Sequence, residues 1–281
     1  MPKNKISIVK YLNAVPLAWG ILEGAQKESF DSVLSTPAEC AEQLSHAGVD
    51  IGLIPSIEFQ RIKDCRIVPG PAVASMYNVR SVILVSEVPL WKVRTVACDN
   101  SSRTSVALTQ IIFHEFYHTK PDFRPAEPDL GSMLAQNDAA LLIGDNALRF
   151  MERNARPDAE QQKPLLREGA EPLEVFDLAE RWRFLTGLPF VFAFWAVRDG
   201  FKDQSIVDTL KQSRDFGVAR IPDIAARYSE TLQIKKEFLQ EYLEKNVHYY
   251  MDQTFLEALA LFYEKAAAVG AIKSARKLQF V

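Results

Sequence analysis

The chain is expected to fold as an α/β protein with two lobes around a central ligand cleft. Three observations predict this. Short β-rich runs alternate with helical stretches, giving one set of βα units, a second set and then a helical tail. Four blocks joining small polar residues to apolar runs fall where strands end and helices begin, which is where open α/β sheets hold ligands. The 281 residues are 48% apolar and 25% charged, enough for a real core in one large domain or two small ones.

The elements follow in order. Ile6-Ser7-Ile8-Val9 is a first strand. Thr36-Pro37-Ala38-Glu39 is a capping box with proline at the first helical position, so a helix runs to about His46 and Gly48 stops it. Residues 50–54 make a buried strand, and 81–86 another, rich in β-branched residues. A strand begins at Val93. Ser101 or Ser102 then caps a helix to about His118, ended by Lys120-Pro121.

An apolar strand over 139–143 delivers Gly144-Asp145. Residues 152–172 are polar and read as a long surface excursion, and 190–197 form an aromatic strand. Beyond it only helix is expected, over 203–215, 221–229, 235–245 and 252–268, with Leu256, Leu259, Ala260 and Tyr263 as the apolar stripe of the last. The strand at 81–86 would leave the first lobe and that at 190–197 would return. The division expected is 1–93 plus 196–281 for the first lobe and 94–195 for the second.

A net charge of −3 argues against a nucleic-acid surface. It leaves an anionic small molecule open, because helix N-termini supply local positive potential. No window is long and apolar enough to span a bilayer. The N-terminal apolar stretch stops at Lys10 with no cleavage site after it. Cys40, Cys65 and Cys98 are scattered and form no CxxC pair. A reduced, cytoplasmic setting is therefore expected. The sequence sets no oligomeric state.

The densest motif is Asn100-Ser101-Ser102-Arg103-Thr104-Ser105, three serines, a threonine, an amide and a guanidinium around a helix start. Unpaired N–H groups and the helix dipole would bind a carboxylate or phosphate there, whereas plain capping needs only one of these residues. Tyr11-Leu12-Asn13 offers an aromatic hydroxyl and an amide after the first strand, or simply an Asx-turn. Ser56 ends a buried strand and either faces the cleft or caps the next turn. Arg80-Ser81 opens a strand, with Ser81 in the cleft or satisfied at an edge. Thr186-Gly187-Leu188-Pro189 is a tight turn into the aromatic strand.

His114-Glu115-Phe116-Tyr117-His118 matches H-E-x-x-H, the zinc-protease helix. The helix stops soon after His118 and no Gly-x-x-His continuation follows. The pattern reads better as histidines suited to a helix C-terminus. No metal and no cofactor are expected. Dinucleotide, phosphate-loop and nucleophile-elbow patterns are missing too.

Together, Tyr11-Leu12-Asn13 with Pro16-Leu17, residues 50–56, Val79-Arg80-Ser81-Val82, residues 101–105, Ile143-Gly144-Asp145, and residues 186–192 with Trp195 resemble the menaquinone-biosynthesis enzymes of the futalosine pathway, the MqnA/MqnD family. The resemblance covers about residues 5–198. One segment departs: Ser75-Met76-Tyr77-Asn78 stands where the family often has an Asp-Gly-Pro type of sequence.

The resemblance implies a fold like the type II periplasmic binding proteins and dehydration of chorismate to 3-[(1-carboxyvinyl)oxy]benzoate. Asn13 and Ser81 would be catalytic. Tyr11, Ser56, Arg80, Ser101, Ser102, Arg103, Thr104, Ser105, Gly144, Asp145, Thr186 and Gly187 would bind substrate. The alternatives are the sister activity, 1,4-dihydroxy-6-naphthoate synthesis, for which a His base is expected, and a non-catalytic anion binder. Neither an amide nor a hydroxyl is a strong base, so the enolpyruvyl carboxylate of the substrate is the expected proton acceptor.

Overall fold

Two mixed sheets are built on the same plan from separate stretches of chain. The computed structural model describes residues 3–155 and 173–281. In the first sheet β1 (Asn4–Val9), β2 (Phe30–Ser35) and β3 (Ile51–Pro55) run parallel, while β10 (Phe190–Val197) lies antiparallel between β3 and β4 (Arg66–Ser75). The strand order is β11-β4-β10-β3-β1-β2, with β11 (His248–Tyr250) on the edge. In the second sheet β6 (Thr95–Asp99) lies parallel to β7 (Asp122–Ala126) and β8 (Ala139–Ile143). There β5 (Val82–Ser86) runs antiparallel to β8 and to β9 (Glu174–Asp177), and the order is β7-β6-β8-β5-β9. Each sheet thus takes one antiparallel strand that has just crossed from the other lobe.

The central strands β3, β5 and β8 are buried at every residue, as strands covered on both faces must be. Ile83 and Val85 of β5 point into a small second-lobe core with Ala97, Leu142 and Ala147, while Val82 and Leu84 face the main core. That main core runs through both lobes. Its aromatic centre lies where β10 meets α6 (Leu178–Thr186) and α10 (Gln253–Ala268): Phe190 packs edge-on against Trp182 at 5.4 Å and Phe262 at 5.0 Å.

Several expectations need correction. β5 pairs only with second-lobe strands and β10 only with first-lobe strands, so the chain crosses at 76–81 and again at 187–189. A division at 93 and 195 would cut both strands from their partners. The tail is not wholly helical, since β11 pairs with β4. α10 buries Phe255, Ala258, Leu259, Phe262, Tyr263 and Ala266; Ala260 is exposed and Leu256 half-buried, so the stripe sits one residue off the expected one. The polar excursion over 152–172 falls mostly outside the described residues; its start continues α5 (Gly144–Asn154).

The capping box forms as expected. Thr36 N–H donates to Glu39 Oε2 at 2.7 Å and Glu39 N–H to Thr36 Oγ1 at 3.3 Å, opening α2 (Pro37–Ser45). The left-handed residue after α2 is Ala47, φ 55°, one before Gly48. α3 covers only Thr104–Ile112 and passes into a π turn over Phe113–Tyr117. Among the described residues no helix is long and apolar enough to cross a membrane.

Candidate active site

The ends of the two sheets face each other across a cavity, and two equivalent turns supply its polar groups. One follows β1 and leads through a 3-10 turn, Leu12–Ala14, into α1 (Val15–Glu23). The other follows β6 and leads into α3. Asp99 folds this second turn: its Oδ1 accepts from Ser101 N–H at 2.9 Å and from Ser101 Oγ at 2.6 Å. Asn100 points outward to Glu127 at 3.0 Å.

Neither Ser101 nor Ser102 caps α3. The cap position is Arg103, and its side chain does not bond the first-turn N–H groups. Those donors and the helix dipole remain directed at the cavity, the arrangement that binds an anion. Ser102 adds a buried hydroxyl, 8% exposed, with no hydrogen-bond partner among the described residues. Ser101, Ser102, Arg103, Thr104 and Ser105 all line the cavity.

Facing them are Tyr11, Asn13 and Ala14 of the first lobe, with apolar walls from Leu53, Val73, Val82, Ile143 and Phe192. The Tyr11 hydroxyl lies 2.8 Å from Ser101 Oγ. Because Ser101 already gives its proton to Asp99, Tyr11 is the donor in this contact. Burial pushes the Tyr11 phenol up to about 12, so it stays neutral near pH 7. Gly144 closes the floor at φ 59°, and a Cβ there would come 2.7 Å from the Tyr11 ring. Only glycine satisfies both the backbone and this approach.

Further contacts join the lobes around the cavity. Leu12 N–H donates to Asp145 Oδ1 at 3.0 Å, and Ile57 N–H to Thr104 Oγ1 at 3.2 Å. Arg103 reaches Glu42 at 2.5 Å and Glu58 at 3.6 Å. Its charge therefore serves lobe contact as well as the cavity. Burial pushes Asp145 up to about 6, against the opposing hydrogen bond from Leu12 N–H.

Other residues expected to touch substrate do not line the cavity. Ser56 gives its hydroxyl to Val191 C=O at 2.8 Å. Arg80 turns out to Glu241 at 3.3 Å and to the Phe238 ring. Asp145 stands behind Leu12. Thr186 donates to Trp182 C=O at 2.8 Å, and Gly187, φ 73°, ends α6 in the left-handed region. This block reaches the cavity through Phe192 instead. Ser81 is fully buried; its backbone C=O accepts from Gly144 N–H at 2.8 Å, and its Oγ accepts from the Tyr242 hydroxyl at 2.8 Å.

The segment before Ser81 is tightly held despite its unusual sequence. Asp177 Oδ2 accepts from Val79 and Arg80 N–H at 2.8 and 2.6 Å, supporting Arg80 at φ 59°. In the H-E-x-x-H match, Glu115 is bound to Lys265 at 2.9 Å and His118 sits at φ 51° after the π turn. Among the described residues no group of three or more His, Cys, Asp and Glu could hold a metal ion.

Residues 4–268 match the family described as menaquinone biosynthesis. The chain belongs to this family. It is 29% identical over 265 residues to a chorismate dehydratase of Thermus thermophilus, covering 91% of this chain and 95% of that one. In fold it is similar to a protein of Archaeoglobus fulgidus (TM-score 0.71, 16% identity, 96% of this chain and 98% of that one). It is also similar to the periplasmic aliphatic sulphonate binding protein of Escherichia coli (TM-score 0.60, 14% identity, 95% and 87%). The two-sheet plan is thus that of the periplasmic-binding-protein-like structures.

For a member of the menaquinone-biosynthesis family, sequence reasoning missed Tyr242, whose hydroxyl reaches Ser81 from the tail, and the apolar wall of Leu53, Val73 and Phe192. No local pattern marks Tyr242. The wall was partly legible, because β3 and β10 read as continuous apolar runs.

Proposed function

We propose that this protein is a chorismate dehydratase, converting chorismate to 3-[(1-carboxyvinyl)oxy]benzoate and water. One observation carries the reading. The cavity offers a helix N-terminus, hydroxyls, an amide and an arginine, yet no His, Lys, Asp or Glu is among the described residues lining it. It is built to hold carboxylates and supplies no base. The relationship to the Thermus thermophilus enzyme supports the same substrate.

The α3 N-terminus with Ser102 holds a substrate carboxylate, and Leu53, Val73 and Phe192 enclose the ring. Hydrogen bonds to the ring carboxylate stabilise the dienolate that develops as the ring proton leaves. That proton passes to the enolpyruvyl carboxylate of the substrate, held close to it by the enclosing lobes. The ring C–O bond then breaks with its electron pair on oxygen. The departing hydroxyl takes the same proton and leaves as water, and the ring becomes aromatic. Asn13, which lines the cavity, orients that hydroxyl. The sister naphthoate synthase would need a His, and the cavity provides none among its described lining residues.

The test is incubation with chorismate and with an analogue whose enolpyruvyl carboxylate is a neutral amide. Chorismate should yield the aromatic product and the amide should bind without reacting. Chorismate recovered unchanged would leave an anion binder; an amide that dehydrates at the normal rate would move the base to the protein.

A further inference from the structure

The turn that opens α3 is tied to the opposite lobe at three of four consecutive positions. Ser101 accepts from the Tyr11 hydroxyl at 2.8 Å, Arg103 reaches Glu42 at 2.5 Å and Glu58 at 3.6 Å, and Thr104 accepts from Ile57 N–H at 3.2 Å. The first-lobe partners come from the turn after β1, from α2 and from the 3-10 turn Ser56–Gln60 after β3. The Ser102 hydroxyl, in the middle of this stretch, has no hydrogen-bond partner among the described residues.

The cavity beside these contacts has a volume of about 60 Å³. Pockets that hold small organic ligands run to roughly 300 Å³ and above. A ligand larger than a few waters therefore enters only when the lobes part, and the contacts of this turn must then break. The Arg103 ion pairs are suited to that. Breaking a buried pair is costly when it strands a charge. Here none is stranded: the Glu58 side chain, 5% exposed, keeps Arg61 at 2.6 Å, while Glu42, 55% exposed, and the half-buried Arg103 pass to water. Another ion pair, Lys265–Glu115 at 2.9 Å, lies beyond the opposite end of α3.

We propose that Arg103, with Glu42 and Glu58, is an electrostatic latch that holds the empty lobes shut and sets how often the cavity opens. The inference goes beyond the dehydratase reading, because it does not depend on which ligand enters. It gives the Arg103 charge to closure and leaves Ser102 and the helix N-terminus to meet the ligand.

Two backbone amides read opening directly, because each bonds across the cleft: Ile57 N–H to Thr104 and Leu12 N–H to Asp145. Their hydrogen exchange is measured in the ligand-free full chain at low and high salt, beside the amides of β8, which pairs with β5 inside the second lobe. In wild type, exchange at Ile57 and Leu12 should rise about twofold to fivefold from low to high salt while β8 stays constant. Arg103→Gln should raise it roughly fivefold to twentyfold and lose most of the salt response. Arg103→Lys, which keeps the charge, should keep that response. The two amides should move together, although Leu12 lies on a different turn from Glu58. A rise at Ile57 alone would be local fraying and overturns the latch. A salt response undiminished in Arg103→Gln overturns it too, as does a rise that β8 shares equally.

If Arg103→Gln does not fold, Glu42→Gln carries the test, since the Glu42 side chain is largely in solvent. Exchange at both amides should then rise about twofold to fivefold, and unchanged exchange overturns the proposal. None of these measurements uses chorismate. Protein that leaves chorismate untouched would sink the dehydratase reading and not the latch, whereas an active dehydratase whose two amides ignore salt and Arg103 sinks the latch alone.

Discussion

The turn after β1 and the turn after β6 occupy the same place in their sheets, each beside two parallel neighbours, yet they carry different chemistry. The β6 turn is wound around Asp99 and ends in an uncapped helix with a spare hydroxyl at Ser102. The β1 turn is a 3-10 turn carrying an aromatic ring and an amide, and it leans on the other lobe through Asp145. Topology fixes where the groups converge, and side chains fix what each turn does. In the proposed reaction the second lobe would hold charge and the first would orient the reacting group.

The strongest way to break this division is Asn13→Ala. If the first-lobe turn orients rather than binds, kcat on chorismate should fall by ~10²–10³ while KM stays within a few-fold. Steady-state kinetics decide it: a rise in KM with kcat intact would place Asn13 among the binding groups and erase the contrast. Ser102→Ala is the mirror experiment. Its hydroxyl has no hydrogen-bond partner among the described residues, so folding should not suffer. Losing a hydrogen bond to a carboxylate should weaken chorismate binding by about 1.5–3 kcal/mol, read by calorimetric titration, with kcat nearly unchanged. Two variants that moved the same parameter would mean the turns are not specialised.

Most of the architecture was legible because the central strands are apolar on both faces and the caps follow local rules, as at Thr36 and Glu39. The strands that escaped notice have physical reasons for it. β4 carries Pro69 and Pro71 and shifts register against β10, β7 carries Pro125, and β2 is mostly exposed. The density of donors at 100–105 pointed to the second-lobe turn at the cavity, and all but Asn100 line it. The cap itself was misplaced, because a serine beside a helix start reads as a cap unless something else, here Asp99, takes its hydroxyl. Tyr242 could not be read locally at all: its partner Ser81 is 161 residues away.

Two carboxylates mark a finer difference between the turns. Asp99 grips the turn of its own lobe, and Asp145 grips the turn of the other lobe through Leu12 N–H. Burial raises Asp145 from its ordinary 3.8 to about 6, so the folded protein holds this proton more tightly than the unfolded chain does. The stabilisation is therefore complete below about pH 4 and is lost as pH rises through about 6. Above that range the lobe contact is kept against the cost of a buried charge. Asp145→Asn keeps an oxygen for Leu12 N–H and carries no charge. Its stability should match wild type near pH 4 and exceed it by about 1–2 kcal/mol at pH 7, taking ~1.4 kcal/mol per unit and discounting for partial exposure. Thermal unfolding of both proteins across that range is the check. A gap that opens with pH would show the first-lobe turn docked onto a strained carboxylate; a gap constant with pH would mean that Asp145 holds the turn by geometry alone, as a neutral group would.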